Sequence, residues 1–582
     1  MDIKSLLADA DVAMENHVPF ITHRVQSFSA HREKAANSDS TAIISESDIY
    51  ELAHVLFDDY EDEFNIDLTR SQRRQFNSQI QKDRLNRYLS TLVARLHNDS
   101  INEREKDDAT EAALLHLSTK NVHAACDALM GVKNYHLMML VAQVEQADDI
   151  FQKDITAQIS AWHEQNTISE ITENVRALYE VLSGNTTIAQ GKSKVPAEDR
   201  ATTFSISEKF GLDWLQAFCL SLWYGKKKNG TIEDAVGEFL QKLDTREETA
   251  SPVSEAGRES PLWILLKLYA ATADGSDLEA PSLPQALSAL SDPLDCQVTF
   301  KLHHALTANM PHVKVDLDKA DELAAALAYQ CSAFGHVVGA IYALLHISDA
   351  ARRETMVKDL LVRHAPSLPE RPREQPPQIW NTLTTELKLP EQWICHAKAL
   401  YFRSRNESSQ ELRYLIFAES WTEAHECLCR RVAPRLVIDE DFDVLHEMLS
   451  SFGDAPETHV GDWDQGGRIY LDFLVAISGG KKDDSRITLS RLQGSLSEMG
   501  ARFSRRGTNL NAGGTEELEE RVACMEMGRK VADLLADVFD ADEEQQLERR
   551  QILELPLTAD ARLVQTRNLG VDYYRTVMAA AR

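Results

Sequence analysis

The sequence predicts an all-α protein, an irregular α-helical solenoid of stacked helix pairs. Three observations carry this prediction. Apolar residues recur at helical spacing along most of the 582 residues. Glycine and proline, 24 and 17 residues, together reach about half of average usage, which disfavours a turn-rich β fold. No convincing set of strands with alternating apolar residues is present.

The segment Leu389 to Pro434 is the best-defined unit of the predicted stack. Helical spacing relates Trp393, Ala397 and Leu400, and the pattern continues through two further runs. Residues Glu419 to Thr422 form a tight turn between helices, with Trp421 as an apolar wedge. Small Ala424 allows close approach of two antiparallel helices, and Pro434 is expected to end the unit because proline cannot continue a helix.

A weaker copy of this pattern lies in the segment Glu111 to Met130. In the predicted alignment Leu115 corresponds to Leu415, Leu117 to Phe417 and Ala124 to Ala424, and Asn121 takes the place of Trp421. This correspondence is either an internal repeat or a chance match between helices, and the sequence leaves both possibilities open.

Further helices are predicted throughout the chain, separated by polar breaks. A short helix is expected at Ile3 to Asn16, loops at Ser183 to Thr203 and Arg246 to Ser260, and a proline-rich linker at Pro366 to Pro377. The final helix is expected at Val564 to Ala580.

Composition narrows the range of partners. A formal net charge of −30 and a pI of about 5.1 disfavour binding to nucleic acid, which requires clustered Lys and Arg, and to anionic membranes. No apolar run reaches the ~20 residues of a bilayer-spanning helix, so direct membrane insertion is not expected. The eight cysteines are scattered within apolar helical patterns, which is typical of free thiols in the cytosol or nucleus.

Two motifs suggest chemistry, and each has a structural alternative. Asp58 to Asp62 matches the DDxxD pattern that binds a magnesium diphosphate in helical isoprenoid synthases, but the second metal motif of those enzymes is absent. A solvated acidic helix end is favoured. Cys427 and Cys429, with His425 and His446, lack the spacing of a zinc site and are expected to be core thiols.

No other catalytic, cofactor or metal site is predicted. The pair His303-His304 is expected at the surface or as satisfied core residues, because no acidic or cysteine partner stands at ligand spacing. Phosphate loops, nucleophile elbows and HExxH motifs are absent. The sequence therefore predicts a non-enzyme.

Two aromatic stretches are candidates for partner interfaces. The first contains Trp214, Phe218, Leu222 and Trp223, more apolar surface than one helix face can bury. These side chains face either the chain's own core, which is favoured, or a partner, for which Trp and Tyr are common anchors. The same two possibilities apply to the last helix, with residues Tyr573, Tyr574 and Val577.

Four segments together resemble a known family. They are the segment Leu389 to Leu449, NVHAACDALMGVKNYHLMMLVAQ from Asn121, DWLQAFCLSLWYG from Asp213, and ILELPLTADARL from Ile552. In this order they resemble the nucleoporin 96 family, which is the C-terminal half of the nucleoporin 145 precursor in fungi.

The resemblance implies the ancestral coatomer element, a helical trunk that folds back through a crown and continues into a tail. The implied boundaries are 1–101 for the first trunk half, 102–281 for the crown, 282–434 for the second trunk half and 435–582 for the tail. It also implies a structural role in the Y-shaped coat of the nuclear pore complex, in the nuclear envelope.

The implied partners are other nucleoporins of that coat. The crown would bind the nucleoporin 107 homologue (nucleoporin 84 in fungi), and the tail side those of nucleoporin 85 and nucleoporin 160 (fungal 120). A β-propeller subunit shared with the COPII vesicle coat is implied for full-length members. Because no three-stranded pattern precedes Ser45, the propeller-binding segment is expected to be missing here. A COPII-type coat rod is the alternative scaffold, and an isoprenoid synthase the alternative enzyme.

Overall fold

The computed structural model describes most of the chain. The described residues are 10–35, 44–58, 70–104, 108–146, 148–226, 230–253, 259–273, 296–309, 316–372, 376–478, 482–505, 515–539 and 552–580. Within them the fold is all-α except for two small two-stranded sheets, as predicted. No helix of these ranges combines the length and apolar content needed to cross a membrane.

The chain divides into two compact units. Unit 1 contains residues 1–13 and 20–348, and unit 2 contains residues 14–19 and 349–582. The four boundaries expected from the family resemblance stay a prediction.

Unit 1 begins with most of strands β1 (Ala10–Glu15) and β2 (Val18–His23); residues 14–19 of this hairpin are assigned to unit 2. Its helices then follow one another closely: α1 (Phe28–Ala35), α2 (Glu46–Phe57), α3 (Arg70–Arg104), α4 (Ala109–Ser118), α5 (Val122–Gly131), α6 (Tyr135–Ala142), α7 (Asp149–Glu164), α8 (Glu173–Leu182), α9 (Ile206–Phe210), α10 (Trp214–Tyr224), α11 (Ile232–Asp244), α12 (Pro261–Ala273), α13 (Gln297–Asn309), α14 (Leu317–Ala333) and α15 (Val337–Leu344). A second sheet joins β3 (Ile188–Ala189), within the predicted loop after α8, to β4 (Phe204–Ser205), which directly follows that loop.

Unit 2 continues the succession of short helices. They are α16 (Ala350–Arg363), α17 (Gln378–Asn381), α18 (Glu391–Ser404), α19 (Ser408–Phe417), α20 (Trp421–Cys427), α21 (Ala433–Ile438), α22 (Phe442–Ser450), α23 (Gly467–Ile477), α24 (Lys482–Arg505), α25 (Thr515–Phe539) and α26 (Ala559–Ala580). The final helix confirms the prediction for Val564 to Ala580 and begins five residues earlier.

The N-terminal hairpin corrects one prediction. A helix was expected at Ile3 to Asn16, but residues 10–15 form β1; residues 3–9 lie outside the described residues. Asn16 and His17 both have positive φ, 50° and 66°, as in the two-residue turns that match strand twist. Short polar side chains tolerate this conformation, so the Asn-His pair and the β-branched residues that follow override the helical pattern.

A single turn geometry joins helices six times in the described residues. In each turn one residue is left-handed, and the next residue starts the following helix with ψ between 65° and 72°. The backbone N–H of that second residue donates to the carbonyl five residues back, which is the Schellman motif. The six residue pairs are Lys120-Asn121, Lys133-Asn134, Gly335-His336, Asn406-Glu407, Glu419-Ser420 and Glu440-Asp441.

This turn shifts the predicted correspondence between the two similar segments by one residue. Asn121 and Ser420 are equivalent because each starts the second helix of its pair. Ala125 is then equivalent to Ala424, and both are fully buried, whereas Ala124 is only half-buried. The prediction aligned the two segments by matching apolar residue types, but the position of the backbone turn determines which residues are equivalent.

The expected helix end at Pro434 is also wrong. The helical path continues from α20 through a wider π turn at Leu428–Val432 into α21. The Ala433 N–H donates to the carbonyl of Leu428, five residues back. The wider π turn leaves room for the ring of Pro434. Pro434 lies in the first turn of α21, where backbone N–H groups do not donate hydrogen bonds within the helix, so its missing N–H removes no such bond.

Unit 2 contains a buried carboxylate between two arginines. Glu411, in the first turn of α19, has a 2% exposed side chain, and its oxygens accept two hydrogen bonds of 2.7 Å from Arg431. Arg403 Nε lies 2.9 Å from the same carboxylate. Burying a carboxylate is costly unless it is paired, so the three side chains bind α18, α19 and the π turn together.

We predict that Glu419→Gly raises the free energy of unfolding by up to about 1 kcal/mol, because glycine adopts the left-handed conformation without steric cost. The matched change Glu423→Gly, four residues later within α20, should lower it by about 1 kcal/mol. Chemical denaturation of both variants tests this. If both changes destabilise equally, residue 419 is not strained.

We predict that Glu411→Ala lowers the free energy of unfolding by about 3–5 kcal/mol, because two arginines lose their buried partner. The control is Glu447→Ala, which removes an exposed carboxylate 3.2 Å from Arg413 and should cost less than about 1 kcal/mol. Urea titration compares the two. If both variants lost the same small amount of unfolding free energy, the ion pairs of Glu411 would make no net contribution to stability.

Candidate interaction surfaces

The aromatic helix α10 lies inside unit 1. Every residue from Leu215 to Tyr224 is buried, and Trp214 is half-buried. Phe218 packs edge-to-face on Trp263 and Phe239, with ring centroids 5.7 and 5.4 Å apart. Trp223 donates from Nε1 to the Asn86 side chain at 3.0 Å. Of the two placements considered for this helix, the structure shows the one in the chain's own core.

This placement corrects the candidate crown interface. Phe218, Leu222 and Trp223 are 0%, 2% and 7% exposed, so a partner cannot contact them while unit 1 stays folded. Their excess apolar surface is covered because α10 contacts helices α3, α4, α8 and α11 on several sides. Trp214 packs against Trp263 with centroids 5.9 Å apart.

The C-terminal candidate residues have the opposite environment. Tyr573, Tyr574 and Val577 of α26 are 59%, 70% and 46% exposed. The first half of α26 is held by Gln565, which is buried and donates to Asp533 of α25 at 3.0 Å. Every side chain described from position 571 to position 578 is exposed.

The exposed apolar residues of α26 fall on one side of the helix. At 100° per residue, six of them occupy an arc of about 140°. We call this set the α26 stripe: Leu563, Val564, Val571, Tyr574, Val577 and Met578. Exposed apolar stripes of this kind mark sites of protein–protein contact. The predicted interface role of Tyr573, Tyr574 and Val577 stays a prediction.

A second exposed apolar surface was missed by the sequence analysis. It surrounds the turn between α5 and α6 and comprises Met130, Val132, Tyr135 and Met139, each between 50% and 58% exposed. We call it the α5–α6 patch. The sequence feature that could have revealed this patch is that α5 and α6 are short and contain more apolar residues than their buried faces can hold. The buried residues of the two helices are Ala125, Ala128, Leu129, Leu137 and Val141.

The acidic motif has a structural role where it is described. The Asp58 carboxylate accepts hydrogen bonds from the backbone N–H groups of Phe28 and Ser29 at the start of α1, and it lies 2.6 Å from His54 Nδ1. It is therefore engaged by its own unit. The remaining residues of the motif, 59–62, lie outside the described residues.

The cysteine and histidine group of unit 2 is hydrogen-bonded internally. His425 Nε2 accepts the N–H of Gly467 at 2.9 Å and contacts Cys429 Sγ at 3.4 Å, while Cys427 Sγ lies 3.8 Å from the carbonyl of Ser408. His446 is exposed. Burial raises the pKa of the Cys427 thiol to about 12, which keeps it protonated.

A cluster of histidines in unit 1 was also missed. His23 of β2, His304 of α13 and His346, two residues after α15, bring ring nitrogens within 4.8 Å of one another. His304 was expected to lack ligand partners, but those partners come from positions 23 and 346, far away in the sequence. Among the described residues, these three side chains lie close enough together that they could hold a metal ion.

The fold and these surfaces define a class of protein: a scaffold of paired helices with a closed core and exposed apolar helix faces. Comparison with known sequences specifies the class further. The family model described as Nuclear protein 96 matches residues 111–401, half of the chain. The chain belongs to this nucleoporin family.

Curated relatives support the assignment along most of the chain. Nucleoporin NUP145 of Chaetomium thermophilum is 30% identical over 449 residues, covering 76% of this chain and 22% of that protein. Nucleoporin nup189 of Schizosaccharomyces pombe is 25% identical over 480 residues, covering 78% and 26%. Nuclear pore complex protein Nup98-Nup96 of Dictyostelium discoideum is 24% identical, covering 68% and 19%. The chain thus spans about a fifth to a quarter of these relatives.

We predict that Phe218→Ala lowers the free energy of unfolding by about 3–5 kcal/mol, because it opens a cavity between Trp263 and Phe239. Tyr574→Ala should change it by less than about 0.5 kcal/mol, because that side chain is exposed. Thermal and urea unfolding measure both. A large loss from Tyr574→Ala would show that α26 packs elsewhere on the chain.

Proposed function

We propose that this chain is a structural scaffold subunit of the nuclear pore complex, in its Y-shaped coat at the nuclear envelope. Membership of the Nuclear protein 96 family is the observation that carries the proposal, and four relatives of the chain are named as nuclear pore complex proteins. A scaffold of this kind supports pore assembly and, through it, nucleocytoplasmic transport and mRNA export. It needs partner surfaces and no catalytic group.

The α26 stripe is the proposed docking surface for the homologues of nucleoporin 85 and nucleoporin 160 (fungal 120). Two features support it. Six apolar side chains on one arc of the helix have no cover in the described chain. Gln565 anchors the start of the helix to Asp533, so the exposed half projects from a fixed base and needs little ordering on binding.

The α5–α6 patch is the proposed surface for the homologue of nucleoporin 107 (fungal 84). It lies in the region expected to be the crown and within the residues that match the family. Two methionines and a tyrosine provide adaptable and amphipathic contacts, which suit a protein interface. The buried residues of α10 are not part of this proposed surface.

We do not extend the proposal to the β-propeller subunit. The described hairpin has two strands, and β2 donates the N–H of Ile21 to the carbonyl of Leu345 in the same unit at 3.1 Å. At Ile21 the edge of β2 is therefore already paired within the chain, whereas strand addition uses an unpaired edge.

Neither alternative function receives support. An isoprenoid synthase would need the carboxylate of Asp58 to face a metal-bound diphosphate, but it accepts the N–H groups of α1 and contacts His54. The relatives quoted above are nucleoporins and none is a vesicle-coat rod.

We predict that the two surfaces bind their partners separately. Val571→Asp combined with Tyr574→Asp should weaken binding to the nucleoporin 85 and 160 homologues at least about tenfold, because it places charge in an apolar contact. Tyr135→Asp combined with Met139→Asp should weaken binding to the nucleoporin 107 homologue to the same degree. Each pair of substitutions should leave the other partner's affinity unchanged.

Size-exclusion chromatography and interferometry with the full chain measure these affinities, and circular dichroism verifies folding. Exposed Asp560 and Glu423 provide control sites at which Asp560→Asn and Glu423→Gln should change no affinity. If the wild-type chain binds none of the three homologues at low salt, the scaffold assignment within the Y-shaped coat is wrong. If one double variant weakens all partners equally, the assignment of the two surfaces is wrong.

A further inference from the structure

The histidine cluster joins the N-terminal hairpin to the helices of unit 1. His23 lies on the same face of β2 as buried Ile21, because alternate residues of a strand share a face. The Ile21 N–H donates to Leu345, the residue just before His346, and the Asn309 side chain donates to the carbonyl of Gln26. The three rings meet where this hairpin contacts α13 and the end of α15.

The nitrogens of the cluster converge. His23 Nε2 and His346 Nε2 are 2.9 Å apart, and the nearest ring nitrogens of all three residues lie within 4.8 Å of one another. A zinc ion bound at its usual distance to imidazole would place pairs of nitrogens roughly 3.3 Å apart. Side-chain rotations that move the ring nitrogens by roughly 1.5 Å or less therefore suffice to bring all three nitrogens to one ion.

A backbone hydrogen bond fixes the tautomer of His346 as the one that can bind a metal ion through Nε2. Its Nδ1 lies 2.9 Å from the carbonyl oxygen of Tyr342, one helical turn earlier. A carbonyl oxygen can only accept, so Nδ1 carries the proton and the lone pair of Nε2 points into the cluster. Metal-binding histidines are oriented in this way, by donating their other nitrogen's proton to a backbone carbonyl or carboxylate.

An apolar ring borders the cluster. Phe300 packs on two of the histidines, with centroids 4.4 Å from His304 and 5.0 Å from His346. Neutral imidazole is the form that ligates metals, and imidazole donors select zinc, copper, nickel or cobalt over magnesium and calcium.

We propose that His23, His304 and His346 form a binding site for one divalent cation of the zinc class, which fastens the N-terminal hairpin to unit 1. Each side chain provides one nitrogen, and water completes a four-coordinate shell. The proposed role of the ion is to link the hairpin to the helices, and its water ligand distinguishes the site from zinc sites closed by four protein ligands. His23 and His304 are 281 positions apart in the sequence, and His304 and His346 are 42 apart, so no local turn could hold the three residues together. The site is independent of the proposed pore function, because it requires no partner protein.

The test uses the full chain, freed of metal by dialysis against a chelator and titrated with cobalt(II) alone. We expect one equivalent of cobalt to bind with the visible absorption of a low-coordinate site, and zinc to displace it. Zinc should also raise the thermal unfolding midpoint. His346→Gln and His23→Gln should each weaken cobalt binding on the order of 100-fold, because each removes a ligand of the ion.

His123→Gln is the matched control. His123 is exposed on α5 and lies 3.6 Å from Asp127 one turn later, a pair that could hold a surface ion adventitiously. The His123→Gln substitution should leave unchanged the affinity for the one tightly bound equivalent of cobalt. The His23→Gln variant keeps the test interpretable if His346→Gln fails to fold, because His23 lies on the hairpin and outside the helical core.

Two results would overturn the proposal. One is the absence of cobalt absorption at one equivalent in the wild-type chain. The other is tight binding that survives His23→Gln and His346→Gln, or that disappears in His123→Gln. In either case the three rings are a hydrogen-bonded stack of neutral histidines.

Discussion

The backbone hydrogen bond that closes each tight helix–helix turn organises both units. A left-handed residue ends one helix, and the next residue both satisfies a carbonyl of that helix and begins the following one. Because the chain reverses within two residues, the paired helices remain close along their length. The fourth residue after the turn then faces the partner helix. It is fully or nearly buried at Ala125, Ala340, Ala424 and Leu445.

The same geometry explains the buried charge of unit 2. In the turn between α18 and α19 that fourth position is Glu411, at 1% exposure. A carboxylate there must be neutralised, since no water reaches it, and Arg403 and Arg431 supply the opposite charge from the preceding helix and from the π turn. The ion pairs therefore follow from the position of Glu411 in the turn. They also fix which helices pack together.

Partner surfaces in this fold are the apolar faces that the stack leaves uncovered. Helix α10 is mostly apolar, and the helices around it bury every residue from Leu215 to Tyr224 and leave Trp214 half-buried. Helix α26 is less apolar, but Gln565 ties it to α25, and every side chain described from position 571 to position 578 is exposed. Aromatic content alone therefore does not identify an interface, because coverage depends on how many neighbours a helix has.

The sequence by itself determined the helices and the fold class, because these depend on apolar spacing within ten to twenty residues. It also carried the family resemblance. The turn register that aligns Ala125 with Ala424 is set by backbone torsions and a hydrogen bond within the turn, which apolar spacing does not record. Tertiary structure alone decided the cover over Phe218 and Trp223 and the meeting of His23 with His304 and His346. Both depend on residues brought together from distant positions, and local spacing carries no information about such contacts.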